Sequence, residues 1–144
     1  IEQESITCIP SENLKKNDIV TYYYPGFPTD LQQPFSVFLA KCEGISTIEE
    51  NIWENRFMHV PYLNKMGAKI KVADKKAIIS GKTNLHGSSV VATDLRGGAA
   101  MVIAGLVAEG ITTINEVEHI LRGYDGIIDK LTNVGAEISI EEVE

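Results

Sequence analysis

Glu43-Gly44-Ile45-Ser46-Thr47-Ile48 returns as Glu109-Gly110-Ile111-Thr112-Thr113-Ile114, and that return decides how the whole chain is read. Upstream, Thr29-Asp30-Leu31 returns as Thr93-Asp94-Leu95. Downstream, Gly67-Ala68-Lys69-Ile70 returns as Gly135-Ala136-Glu137-Ile138. The offsets are 64, 66 and 68, so the order is kept with small insertions between blocks. Three ordered matches mark an internal duplication.

Each copy has the same grammar. A β-rich run comes first, Ile19 to Tyr24 or Ser88 to Ala92. Thr29 or Thr93 then stands where an N-cap is expected, with Asp beside it in the first turn. An apolar helix follows, Leu31 to Cys42 or Leu95 to Glu109, and Gly44 or Gly110 is placed to stop it. Ile45 to Ile48 and Ile111 to Ile114 set Ile against Ser and Thr, which reads as a half-buried strand of period two. A second helix runs to Gly67 or Gly135, and a strand follows, Lys69 to Val72 or Glu137 to Ile140. In the first copy Asp74-Lys75-Lys76 turns into a further strand, Ala77 to Ser80, as a hairpin. Helices between strands predict an α/β fold with parallel pairs and one covered sheet face. Residues 19–86 form the first complete unit and 87–144 the second. Residues 1–18 end a preceding unit, with Ser5 to Ile9 as its last strand. Two units alone leave an apolar face open, which argues for a third copy upstream.

Bulk properties narrow the function classes. The 144 residues are 44% apolar and 23% charged, the balance of one globular domain. No apolar run reaches the roughly 18 residues of a spanning helix. The chain opens on Ile1 without a charged-then-apolar leader, so nothing argues for export, and this opening fits a fragment or a processed chain as well as a complete protein. Cys8 and Cys42 form no CxxC and read as reduced thiols. His59, His86 and His119 lack metal-site spacing. A net charge of −7 disfavours nucleic acid, since phosphate contacts need clustered Lys and Arg.

Chemistry is sought at the helix starts. Arg96 falls in a first turn, where the macrodipole disfavours a cation by about 0.3–1 kcal/mol. Either an acid such as Asp94 pairs with it, or a carboxylate or phosphate ligand does. Arg122-Gly123-Tyr124 reads as the opening of the second helix of the second copy, and Arg56 occupies the matching place 66 residues earlier. Each is a surface or structural arginine, or together they line one pocket from equivalent loops. Asp30 follows Tyr24-Pro25-Gly26-Phe27-Pro28-Thr29, a stiff approach. It either serves the helix dipole or acts as a general base. Trp53 and Phe57, beside Arg56, are core or a ligand platform.

Four motifs then stand in one order: Tyr24-Pro25-Gly26-Phe27-Pro28-Thr29-Asp30-Leu31-Gln32, Glu54-Asn55-Arg56-Phe57-Met58-His59-Val60, Ala92-Thr93-Asp94-Leu95-Arg96 and Arg122-Gly123-Tyr124. Over nearly the whole chain they resemble the UDP-N-acetylglucosamine enolpyruvyl transferases of the EPSP synthase-like family, which make the first committed peptidoglycan precursor. The resemblance implies two domains of three β-α-β-α-β-β units, each domain an inside-out α/β barrel, with the active site in the cleft between them. This chain would be two units of one domain, with the N-terminal part of the enzyme as its partner. It implies a bacterial cytoplasmic transferase of cell-wall biogenesis, and through it of cell shape and division. Its substrates would be UDP-N-acetylglucosamine and phosphoenolpyruvate, with no cofactor, metal, membrane or nucleic acid. Asp30 would take the proton of the sugar 3′-hydroxyl. Ile52 and Trp53 would line the UDP-sugar site, and Arg96 and Arg122 would hold phosphoenolpyruvate. Arg56 would be structural, acting from behind. Gly97-Gly98 departs from the family, where alanine often comes first, and is expected to loosen that helical turn. The family's mobile-loop cysteine has no match in Cys8 or Cys42, and its lysine and further arginine for phosphoenolpyruvate lie outside this chain. The isolated polypeptide is therefore expected to be inactive. The alternatives are a binding or scaffold module kept without chemistry, and a transferase for another acceptor.

Overall fold

The structure, a computed structural model, describes residues 4–141. In chain order its elements are β1 (Asp18–Val20), a 3-10 turn (Thr29–Leu31), α1 (Gln32–Lys41), β2 (Ile45–Glu49), α2 (Val60–Lys65), β3 (Lys69–Ala73) and β4 (Lys76–Ser80). The second copy adds β5 (Ser89–Val91), α3 (Leu95–Val107), β6 (Thr113–Asn115), α4 (Glu118–Gly123) and α5 (Ile127–Asn133). None of these helices is long and apolar enough to cross a membrane.

The duplication is visible in the pairing. β1 runs parallel to β2 across α1, and β5 runs parallel to β6 across α3. A helical crossover is what parallel neighbours require. The first unit continues into the expected hairpin: β3 and β4 pair antiparallel around Asp74, and β4 also pairs antiparallel with β2, giving the order β1-β2-β4-β3. The helices end before the expected glycines, at the extended residues Cys42 and Ala108. Gly44 and Gly110 stand two residues further on at φ +98° and +87°, in the turns that follow, where glycine carries no Cβ penalty. Pro34 sits in the first turn of α1, where its missing N–H is not needed by the helix ladder.

The helices, not the sheets, meet at the centre. α1 packs on α3. Val37, Leu39 and Ala40 of α1 share one buried cluster with Ala100, Met101 and Ala104 of α3. Ile19, Ile48, Ile70 and Ile79 close it from the sheet of the first unit. Cys42 is buried and Cys8 exposed, and both are free thiols.

Several expectations fail for identifiable reasons. Ile45 and Ile48 stand three apart, so they lie on opposite faces: Ile48 is buried, with Ser46, while Ile45 is exposed. Ile111 and Thr112 precede β6 rather than beginning it. Glu137 to Ile140 forms no strand, because among the described residues no hairpin follows to pair with it as β4 pairs with β3. Ser5 to Ile9 forms none either. Neither threonine is a helix cap. Thr29 lies inside the 3-10 turn, and Asp94, not Thr93, caps α3 by accepting from the N–H groups of Arg96 and Gly97, both at 2.8 Å.

Candidate functional site

The run from Tyr22 to Pro28 folds back on itself. The Tyr22 N–H donates to the Phe27 carbonyl at 3.0 Å, and the Gly26 N–H donates to that of Tyr23 at 2.8 Å. Tyr24–Pro25 is cis. The Phe27 ring meets Phe35 of α1 edge-on at 5.3 Å, which anchors the loop to the helix it precedes. This aims Asp30 outward, its side chain 60% exposed.

Opposite Asp30 stands the first turn of α3. Asp94 is taken up by the two backbone N–H groups it caps, so it leaves the Arg96 guanidinium free. Arg96 Nε instead donates to Asp30 Oδ1 at 2.6 Å, an ion pair joining residues 66 positions apart and one from each unit. That hydrogen bond, ahead of the charge itself, holds the Asp30 carboxyl below the usual carboxylate range and raises the guanidinium of Arg96. Arg56 approaches the same Oδ1 at 4.0 Å from the turn before α2. Its guanidinium lies 5.5 Å from the centre of the Trp53 ring, a cation–π contact, and its carbonyl accepts from Gln33 Nε2 at 2.9 Å. Asp30, Arg96, Arg56 and, through Arg56, Trp53 are therefore one cluster built from three distant segments. A cavity of about 650 Å³ opens beside it, between Trp53, Arg56 and Phe57 on one wall and Val72 and Lys75 on the other.

Arg122 behaves otherwise. It lies in the last turn of α4, an added short helix, and not at the start of the second helix, which is α5. There the carbonyl end of the macrodipole favours a cation. Arg122 is exposed and, among the described residues, makes no ion pair. The neighbourhood is still shared: a Cβ on Gly123 would fall 2.2 Å from the Leu95 side chain. Arg122 thus stands beside the first turn of α3 without joining the cluster. Gly97 and Gly98 lie in that turn. Both are buried, and a Cβ on Gly97 would fall 2.4 Å from Thr93 Oγ1.

One group escapes any reading by motif. Glu50, just past β2, is 1% exposed and accepts four hydrogen bonds, including those from the Ile52 and Trp53 N–H groups at 2.9 and 3.1 Å. Strand parity is the signal that finds it. Ser46 and Ile48 point inward, and the next residue on that face is Glu50.

The EPSP synthase (3-phosphoshikimate 1-carboxyvinyltransferase) family pattern matches residues 1–131. UDP-N-acetylglucosamine 1-carboxyvinyltransferase 2 of Listeria monocytogenes is 55% identical over 139 residues, which are 96% of this chain and 33% of that protein. UDP-N-acetylglucosamine 1-carboxyvinyltransferase 3 of Caldanaerobacter subterraneus is 58% identical over 125 residues, 87% of this chain and 30% of that one. The crystal structure of the enolpyruvyl transferase NikO from Streptomyces tendae superposes with a TM-score of 0.83 at 30% identity, over 90% of this chain and 30% of that one. The chain spans about a third of the length of the curated relatives it matches.

Proposed function

The chain belongs to the EPSP synthase (3-phosphoshikimate 1-carboxyvinyltransferase) family, and from that premise we propose that it forms one wall of the active-site cleft of a UDP-N-acetylglucosamine enolpyruvyl transferase. The proposed reaction moves the enolpyruvyl group of phosphoenolpyruvate onto the sugar 3′-hydroxyl and releases phosphate. It would be a cytoplasmic step of peptidoglycan synthesis, and it would need the rest of the enzyme as partner.

The observation that carries this is the Asp30–Arg96 pair, set between the two units with Arg56 and Trp53 beside it. The chemistry needs a carboxylate near the acceptor hydroxyl and guanidinium groups for a substrate bearing both carboxylate and phosphate. Asp30 is that base, and Arg96 is a fork for the anion. Ile52 and Trp53 form the wall for the UDP-sugar. Arg122, beside the first turn of α3, is the second anion-holding arginine and needs a local movement to join Arg96. Arg56, tied to Trp53 and to Gln33, is structural in this scheme.

The test is a chimera in which this chain replaces the matching third of the Listeria monocytogenes relative. Release of phosphate from phosphoenolpyruvate that depends on UDP-N-acetylglucosamine is expected. Asp30→Asn in that chimera should lower kcat by about 10²–10⁴-fold, the usual contribution of a general base. A soluble chimera that turns over with another acceptor but not this one would reassign the substrate. One inert with every acceptor would leave a scaffold role.

A further inference from the structure

Glu50 buries a carboxyl group, which is costly unless its lone pairs are filled. They are filled from two sides. Oε1 accepts from the Thr21 hydroxyl at 2.8 Å and from the Ile52 and Trp53 N–H groups, while Oε2 accepts from the Thr29 hydroxyl at 2.9 Å. Thr21 Oγ1 in turn accepts from the Asn51 N–H at 2.9 Å. Thr29 is bonded to Asp30, and Ile52 and Trp53 are the proposed wall for the sugar. One carboxylate therefore spans the acid-bearing turn and the acceptor loop.

The duplication shows whether the fold needs this bridge. Shifted by 66 residues, Glu50 becomes Glu116, which is exposed. Shifted by 64, Thr29 becomes Thr93, whose buried hydroxyl finds no hydrogen-bond partner. The second unit nevertheless builds the same parallel strand pair and crossover helix. A β-α-β unit forms without the bridge. What the bridge adds is confined to the unit that carries Asp30.

We infer that Glu50 is a positioning residue: its carboxylate clamps the Thr29–Asp30 turn to the Ile52–Trp53 loop and so fixes the distance between the base and the acceptor sugar. This rests on the proposed function, and the closing experiment separates the two. In the chimera, Glu50→Gln keeps the shape and removes the charge. kcat/KM for UDP-N-acetylglucosamine should fall about 10- to 100-fold, the cost of misplacing reacting groups by around an ångström. The loss should divide between a raised KM for the sugar and a lowered kcat, with KM for phosphoenolpyruvate unchanged, because neither Arg96 nor Arg122 touches Glu50. Thr29→Val removes a single donor and should reproduce the same split, which keeps the test valid if Glu50→Gln does not fold. In the 144-residue chain, Trp53 is the sole tryptophan, and its emission should shift in both variants. An active chimera in which both variants keep the parent's KM for the sugar, or an unmoved Trp53 emission, overturns the inference alone. An inert parent chimera overturns the reading beneath it, and the inference with it.

Discussion

His59, in the turn before α2, is a fully buried ionisable ring held against Ser36 of α1. The Ser36 hydroxyl donates to the Gln33 carbonyl at 2.6 Å and lies 2.9 Å from His59 Nε2. Burial in this position keeps the ring neutral. Burial pushes its pKa down to about 4, against the opposing pull of the Asp94 charge and the Arg56 carbonyl. The sign follows from linkage. Between pH 4 and 6.5 the unfolded chain binds the proton that the folded chain refuses, so stability falls as pH drops through that window. The full loss is about 3 kcal/mol. Urea midpoints of the chain between pH 7 and 4 should fall accordingly, and His59→Gln should flatten the slope. A midpoint independent of pH across this range would place the ring in water. The Asp30–Arg96 pair acts elsewhere, since a lowered carboxylate pKa contributes to stability until pH falls below the usual carboxylate range. Of these groups, Asp30 and Arg96 were legible because they stand in repeated blocks beside a helix start. Their pairing with each other was not. It depends on Asp94 being consumed as a cap, which no spacing reveals. Glu50 was hidden because Glu49 and Glu50 look alike until strand parity separates them.

At the scale of elements, the helices α1 and α3 and the parallel pairs follow from the repeat, whereas the strand expected at Glu137 to Ile140 does not form, α4 is added, and the element ends shift. The Ile45–Ile48 spacing looked like an alternation and was not one. The sequence places the second helix of the second copy too early, because Arg122 stands 66 residues after Arg56 in the repeat. In the first unit that segment is an irregular turn before α2, whereas in the second it winds into α4, and the true counterpart of α2 is α5. α4 has a packing role that the sequence shows only as two adjacent glycines. Ile120 sits so close to α3 that a Cβ on Gly98 would fall 2.5 Å from its Cγ1 and 3.2 Å from the Ala92 Cβ. Gly98→Ala raises intrinsic helix propensity, yet overpacking a buried contact costs more than that gain. A net loss of about 1–3 kcal/mol is expected in urea unfolding. Unchanged or increased stability would show that α4 swings aside freely, and Arg122 with it.

For the whole molecule, the two units share one core, so Asp30 from the first and Arg96 from the second are held in a single frame. In the proposed reading that frame is one wall of a cleft. Asp30 is 60% exposed and Trp53 58%, so the groups proposed to act on substrate stand in water. Water weakens each of the effects they would exert. A pair of unit charges 4 Å apart interacts by about 1 kcal/mol in bulk water and about 4 kcal/mol at an effective dielectric of 20. The carboxylate of Asp30 also stays paired with Arg96 until an anion competes for the guanidinium, which an open site binds poorly. The 144-residue chain alone should therefore release no phosphate above background from phosphoenolpyruvate and UDP-N-acetylglucosamine. Its Trp53 emission should respond to the sugar nucleotide only at millimolar concentration, about −4 kcal/mol of binding. In the chimera a second wall excludes water from the same residues, and the response should move to micromolar sugar as turnover appears. Turnover by the isolated chain would mean that one wall suffices, and the cleft as the source of catalysis would then be wrong.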